Sequence, residues 1–426
     1  MQNQKISTRV LLASLIGSSI EWFDYFLYGT VAALVFNQLF FPAEDPTVGT
    51  MLAFASFALS FFIRPFGGIL FSHIGDKIGR KQTLVLTLSL MGGATVLMGL
   101  LPTYQAIGIA APILMVLLRL VQGLGIGGEW GGAMLLAVEY APKEKRGFFG
   151  SVPQMGVTIG MLLATLALTV MTMLPEDQFL SWGWRVPFVL SAGLVFLGLW
   201  IRKGIDETPS FKKNQAEGKV VAVPLFETLR HHKREVMIAV GAKFVETAPF
   251  YIMSTFIVFY ATNQLDFSRT EVLNTVTIAT IVTTLLIPVM GALSDKIGRK
   301  KVYTGGVLLM MAYAFPYFWL LETKSFASLI GATVLGLGVI WAPATAVLGT
   351  MFSEIFKSNV RYTGITLGYQ IGAALAGGTA PLVATFLLKA FDGSYIPIAI
   401  YIILTGVISL IAIRAADDYA GKPLDD

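Results

Sequence analysis

The chain has 426 residues, 55% of them hydrophobic and 13% charged, with a formal net charge of +5 and a mean hydropathy of +0.71. Soluble domains carry about 25% charged residues, so this composition excludes a water-facing globular surface and a disordered chain, and the small positive charge excludes a nucleic-acid-binding footprint. No cysteine is present, which removes disulfides, thiolate metal sites and cysteine nucleophiles.

A helix needs about 20 mostly apolar residues to cross roughly 30 Å of hydrocarbon. Between charge clusters and turn signals the sequence predicts twelve such helices, at 10–36, 51–71, 83–101, 112–138, 148–173, 186–201, 236–260, 272–293, 302–321, 326–351, 363–388 and 396–413. The run 272–293 holds no charge and does not alternate, unlike the segments of a membrane β-barrel. The first span carries Glu21 and Asp24 and lacks a small-residue cleavage site before Asn37, so it is expected to be retained, not removed as a signal peptide. With the N-terminus inside, 24 of the 31 Lys and Arg residues fall in inner loops; Arg185, Arg269, Lys324 and Lys389 fall in outer loops, and three lie within spans. One missed helix would invert this bias. The expectation is an all-α polytopic protein of a plasma or inner membrane, with both termini cytoplasmic.

The polar stretch 202–235 divides the spans six to six, so the domains expected are an N-terminal half (1–201), a cytoplasmic linker (202–235) and a C-terminal half with a short tail (236–426). The halves share punctuation. Asp76-Lys77-Ile78-Gly79-Arg80-Lys81 follows the second span and Asp295-Lys296-Ile297-Gly298-Arg299-Lys300 follows the eighth. Glu139 precedes Arg146, and Glu354 precedes Arg361, by the same spacing at the ends of spans 4 and 10. Such repeats characterise transporters that bind substrate at the midplane between the halves.

The loops after spans 2 and 8 resemble the signature of the major facilitator superfamily, and Arg119-Leu120-Val121-Gln122-Gly123 resembles its R-x-x-Q-G element. Glu21-Trp22-Phe23-Asp24, Arg64-Pro65-Phe66-Gly67-Gly68, Gly127-Gly128-Glu129-Trp130-Gly131-Gly132, Trp182-Gly183-Trp184-Arg185-Val186-Pro187-Phe188 and Arg361-Tyr362-Thr363-Gly364 are similar to the metabolite:proton symporter family. Its members carry shikimate, 2-oxoglutarate, citrate or proline/betaine, and Ala33–Asn37 with Phe40-Phe41-Pro42 is most similar to the shikimate-type branch. The resemblance implies the twelve-helix fold, with spans 1, 4, 7 and 10 lining a central cavity. One departure is Ser72, where the family usually has glycine four residues before Asp76; the second copy keeps Gly291. A serine there is expected to loosen that loop's packing.

Ionisable groups inside spans are costly and mark function by default. Seven occur: Glu21, Asp24, Arg64, Arg119, Glu129, Lys243 and Glu246. Glu21 and Asp24, like Lys243 and Glu246, are three residues apart on one helix face and near mid-membrane depth. The expected roles are proton coupling by Asp24 or Glu21, with Glu129 and Glu246 as acidic partners, and Arg119 and Lys243 presenting charge to an anionic substrate. Of the polar and aromatic residues on these helices, Tyr28, Trp130 and Gln370 are the pocket candidates. Arg64, low in span 2 beside Pro65, is expected to snorkel to the headgroups. Asp76, Arg80, Glu139, Arg146, Asp295, Arg299, Glu354 and Arg361 are expected to form inner-face gating pairs.

No G-x-x-x-x-G-K-[ST], G-x-S-x-G or H-E-x-x-H motif occurs, the glycines at 123–128 lie inside an apolar span with no strand before them, and the adjacent His231 and His232 do not share a helix face. The expected protein is therefore not an enzyme, needs no metal or cofactor, and acts as a monomer in the bilayer. Its expected function is proton-coupled symport of a small carboxylate or a zwitterion; a uniporter or exchanger, and more remotely a ligand sensor, are the alternatives.

Overall fold

The computed structural model describes residues 8–78, 80–127, 130–131, 134, 137–138, 141–203, 225–357, 360–418, 420 and 422, with no side-chain description for a further few, among them residues 8–14, 72–73 and 75–81. Among the described residues there is no strand. Twelve helical spans follow the apolar runs. α1 is Thr8–Val31, continued by a π-helical turn Ala32–Phe36 into Asn37–Leu39; α2 is Pro46–Ile78, α3 Arg80–Leu100, α4 Ala110–Ile126, α5 Arg146–Thr172 and α6 Arg185–Lys203. Helical backbone resumes beyond α4 at 130–131, 134 and 137–138. In the second half, α7 is Lys233–Asn263, α8 Arg269–Ile297, α9 Arg299–Glu322, α10 Phe326–Ile355, α11 Arg361–Ala390 and α12 Ile396–Arg414.

Most helices run a few residues past the predicted apolar stretch. The polar ends, such as Asp295 and Lys296 on α8, remain helical because intrahelical bonding continues once the helix is nucleated. The sequence pattern did not signal the π-helical turns, which interrupt α1 at Ala32–Phe36, α7 at Ile252–Phe256, α10 at Val334–Ile340 and α11 at Ala373–Gly378. Pro343 and Pro381 follow the last two; with no N–H to offer, proline breaks the regular ladder and the preceding turn widens. The outward faces carry bare apolar side chains such as Leu190, Phe196 and Trp200, which suits hydrocarbon and not water.

The start of α1 and the end of α12 lie at one face of the bundle, called here the terminal face. The two six-helix halves meet along α5 and α8, and along α2 and α11. At the first seam three threonine pairs form rungs: Thr158–Thr284 at 2.8 Å, Thr165–Thr277 at 3.2 Å and Thr172–Thr270 at 3.0 Å. On each helix these threonines are seven residues apart, two turns, so they share one face. Nearer the terminal face the seam closes tightly: a Cβ on Gly147 would lie 2.4 Å from the Gly291 carbonyl oxygen, so only glycine permits this approach.

The rungs predict a measurable coupling. In a double-mutant cycle of Thr165→Val and Thr277→Val, reversible unfolding in mixed micelles should give an interaction energy of about 0.6 kcal/mol, the typical size of an interhelical hydrogen bond in a membrane. Strict additivity would show that the rung does not hold the halves together.

Candidate functional site

Four polar layers lie between the two faces of the bundle. The central one is built on α1, where Trp22, Tyr25 and Tyr28 recur every three residues and present one aromatic face to α2 and α4. The guanidinium carbon of Arg119 lies 4.1 Å from the ring centroid of Tyr28, 4.3 Å from Tyr25 and 5.0 Å from Phe57. That of Arg64 lies 4.1 Å from both Tyr25 and Phe61 and 5.5 Å from Trp22. Both arginines are 0% exposed. The snorkelling expected of Arg64 is thus overturned: its side chain reaches back along α2, as helical side chains do, into the aromatic cluster instead of out to the headgroups. Arg119 donates to Gln122 Oε1, but its Nε and Nη2 have no hydrogen-bond partner, and none of the three nitrogens of Arg64 has one.

Asp24 is also 0% exposed, and neither carboxylate oxygen accepts a hydrogen bond. The polar side chains facing it are Thr95 on α3 and Ser191 on α6, so it points into its own half and not at Arg119. The link to Arg119 is indirect. Gln122 Nε2 donates to Thr95 Oγ1 at 2.9 Å and to the Asp24 backbone carbonyl at 3.3 Å, while Gln122 Oε1 receives Arg119. Glu21 is buried as well and is engaged with neighbours. Tyr28 is a full member of the cluster, its hydroxyl 2.5 Å from Ser56 Oγ.

Nearer the terminal face a closed ring of contacts joins the halves. Lys243 is ion-paired with Glu246, as the spacing on α7 suggested. Glu246 Oε1 accepts from Thr345 on α10 at 3.1 Å. Gln154 on α5 donates to the Thr345 carbonyl at 3.0 Å and accepts from Trp130 Nε1 at 3.0 Å. Trp130 stacks on Tyr369 of α11 at 3.8 Å between ring centroids, and the Lys243 ammonium lies 3.8 Å from the Tyr369 centroid. Gln370, expected in the pocket, donates to the Gly127 carbonyl at 3.2 Å and ties α11 to the end of α4. Gln154 and Thr345 escaped sequence reading because neither is ionisable; a polar-residue scan of the spans would have flagged Gln154.

At the terminal face, Asp295 pairs with Arg299 at 2.8 Å and accepts the backbone N–H groups of Gly147 and Phe148 at 2.8 and 2.9 Å. The acid of the second half therefore seats on the α5 N-terminus of the first, where unpaired N–H groups favour an anion. Arg299 also bonds Glu354 at 3.2 Å, Arg146 donates to the Lys422 carbonyl at 2.7 Å, and Arg361 donates to the Phe356 carbonyl at 3.0 Å. Glu129 and Glu139 lie outside the described residues, as do the side chains of Ser72, Asp76 and Arg80.

The opposite face carries a layer the sequence reading did not anticipate. Lys389 at the end of α11 pairs with Asp45 before α2, and Arg269 at the start of α8 pairs with Glu176 after α5 at 3.1 Å. In both, the first half supplies the acid and the second half the base. Beside the second pair lies a cavity of about 350 Å³ lined by groups that include Asn37, Gln38, Thr172, Glu176, Asn263 and Arg269. The halves are thus joined at both faces.

Two outcomes follow. Because the chain has no cysteine, a single introduced one reports accessibility. Gln154→Leu removes hydrogen bonds from the ring, each worth about 1 kcal/mol net, so maleimide labelling at Met134→Cys, which packs on Gly349, should accelerate about tenfold; an unchanged rate would mean that the ring does not hold this face shut. At the other face, the hydrogen bonds from Lys389 and the Thr47 backbone N–H hold the Asp45 carboxyl below its usual range. This contribution is lost only as pH falls through that lowered value. Labelling at Leu34→Cys, on the cavity wall, divided by that of an exposed introduced cysteine at the same pH to remove the thiolate fraction, should therefore be flat between about pH 5 and 8, and should rise roughly twofold to fivefold in Lys389→Glu, an exposed pair being weak.

Residues 132–413 match the family described as MFS/sugar transport protein, and residues 10–220 match sugar (and other) transporter. The chain is 39% identical over 404 residues to the shikimate transporter of Escherichia coli (strain K12), covering 94% of this chain and 92% of that protein. It is 35% identical over 430 residues to the glycine betaine/proline/ectoine/pipecolic acid transporter OusA of Dickeya dadantii (strain 3937), covering 98% and 84%. A crystal structure of a D-xylose-proton symporter shares the fold, with a TM-score of 0.77 at 18% identity over 98% of this chain and 99% of that one. On its twelve-helix architecture, the family match and relatives that span nearly its whole length, the protein belongs to the major facilitator superfamily and is a multi-pass membrane transporter of metabolites, not an enzyme.

Proposed function

We propose that the protein takes up a small organic acid together with protons by alternating access, with Asp24 as the proton carrier and Arg119 as a substrate-binding cation. The observation that carries this reading is the pairing of opposites in one buried layer. Asp24 is a carboxylate with no hydrogen bond, Arg119 is a cation with free N–H groups, and Gln122 touches both. An unpartnered carboxylate in an apolar site either holds a proton or forfeits the solvation it had in water. A half-satisfied guanidinium asks for an anion, and a carboxylate fits its fork. Gln122 grips the Asp24 main chain and the Arg119 side chain together, so a shift of α1 on proton loss reaches the substrate cation directly. The names of the relatives support a metabolite of this size, and they include carriers of both an acid and zwitterions.

In this reading the terminal face is cytoplasmic, since the Lys and Arg bias places it there, and the membrane is the inner or plasma membrane. Segments 1–201 and 236–426 rock as two bodies joined by 202–235, and one chain suffices. The acid and proton enter past the Asp45–Lys389 and Glu176–Arg269 pairs. Departure inward requires the Asp295 seat and the Trp130–Tyr369 ring to part. Lys243 stays neutralised by Glu246 until that ring opens.

The test is transport in proteoliposomes with a panel of carboxylic acids, proline and glycine betaine under an imposed pH gradient. Asp24→Asn should abolish gradient-driven accumulation while leaving counterflow exchange. Gradient-driven uptake at the wild-type rate would remove the coupling role from Asp24. Uptake of betaine or proline and of no acid would replace the carboxylate by a zwitterion.

A further inference from the structure

Arg64 occupies a position that the sequence did not suggest and that the proposed cycle does not yet use. We infer that Arg64 is a second substrate-binding residue, and that with Arg119 it forms a twin-guanidinium subsite for a carboxylate group of the transported acid, set around the ring of Tyr25. This rests on the organic-acid reading above and adds to it a second point of recognition.

Several independent observations converge. Both guanidinium carbons lie within 4.3 Å of the centroid of Tyr25, so the two cations share one small volume despite their mutual repulsion. Five of their six nitrogens, Nε, Nη1 and Nη2 of Arg64 with Nε and Nη2 of Arg119, are buried without a hydrogen-bond partner. Among the groups that act on Arg119 are Tyr25, Tyr28, Arg64 and Tyr251. Buried charges are paired in proteins, with metals or counter-ions where side chains do not serve, and the missing partner here is an anion supplied from outside the chain. Carboxylate oxygens match guanidinium N–H groups in plane and spacing, which a lysine pair would not offer.

The aromatic faces sharpen the ligand class. In an empty cage they would invite a quaternary ammonium, but the faces of Trp22, Tyr25, Tyr28, Phe57 and Phe61 are already occupied by the protein's own guanidinium groups. What the two guanidinium groups lack, among the described residues, is an acceptor for these N–H groups. Arg64 also stands at the boundary between the halves. It acts electrostatically on Lys243, Tyr251 and Tyr369 of the second half, and its neighbour Phe61 meets Tyr251 at 5.5 Å between centroids. Separation of the halves therefore uncovers it. Its own placement is rigid: a Cβ on Gly127 would lie 2.2 Å from the Arg64 carbonyl oxygen, and one on Gly67 would lie 2.1 Å from that of Leu124. The backbones of α2 and α4 are locked in contact, which fixes one arginine relative to the other and preorganises the pair.

The experiment uses the full-length protein in detergent, with Trp fluorescence as the signal, since Trp22 lies beside Arg64. The probes are small cyclic and open-chain monocarboxylic acids, each beside its neutral primary amide, and glycine betaine. The unmutated protein should bind at least one acid and not its amide. Arg64→Lys and Arg64→Gln should each weaken that acid by about tenfold or more and erase the discrimination from the amide, at a melting temperature close to that of the unmutated protein. Acid-over-amide discrimination retained in Arg64→Lys or Arg64→Gln but lost in Arg119→Lys overturns the role of Arg64 and leaves the organic-acid reading standing. Binding of betaine or of amides by the unmutated protein, with no acid bound, defeats the organic-acid reading and this inference with it. Should Arg64→Gln fail to fold, Arg64→Lys alone decides, because it keeps the charge and removes only the fork.

Discussion

A guanidinium group buried in an apolar bundle with N–H groups that no described residue accepts is the constraint around which this protein is arranged. Arg64 and Arg119 are each wrapped by aromatic rings, whose negative faces supply part of the missing counter-charge without neutralising it. The second half treats its own buried cation differently: Lys243 has Glu246 beside it. The repeat therefore relates positions and not chemistry. One half holds two guanidinium groups with unpartnered N–H groups, while the other pairs Lys243 with an acid on the same helix.

That asymmetry extends to the two faces. At the terminal face, Asp295 is held by two helix N–H groups and an arginine, its side chain 8% exposed, and the glycines of α5 and α8 bring the backbones together. At the opposite face the halves are joined by ion pairs whose side chains are substantially exposed, 42% and 45% for Lys389 and Asp45. Exposed pairs are weak because water competes for both partners and salt screens them. The opposite face is accordingly the easier one to part, while parting the terminal face requires a buried network to yield. The threonine rungs between α5 and α8 fit the same economy: hydroxyls that can bond either across the seam or to their own backbone let helices shift without stranding a polar group in hydrocarbon.

The number of spans, their approximate limits and the two halves were legible in the sequence because hydrocarbon tolerates only satisfied backbone, and that requirement leaves long apolar helices with charge at their ends. The π-helical turns were not, since they answer to local packing and to proline ring clashes that leave the apolar pattern intact. The candidate site was legible by type. Scarce ionisable residues in apolar helices are candidates by default, and the structure brings Lys243, Glu246 and Trp130 into the ring between the halves, while Arg119 and Tyr28 sit in the aromatic cluster of the first half. It sets Asp24 apart, facing Thr95 and Ser191, because adjacent residues on a helix are turned about 100° from each other and Tyr25, next to Asp24, took the face toward Arg119.

What the sequence by itself determined is the solvent and the scaffold: composition alone demands lipid, and the period and charge of its apolar runs demand twelve helices in two related sets. What only the tertiary structure decided is who meets whom. Arg64 looks from the sequence like a headgroup anchor, since depth along a helix can be counted but the direction in which a long side chain lies cannot. Packing of α2 on α4 through Gly67 and Gly127 turns it inward instead. Neutral residues such as Gln154 and Thr345 become parts of the contact ring only once five helices converge on them. Hydrophobic burial is blind to such pairings, and it is geometry that makes a few polar atoms in an apolar bundle find one another.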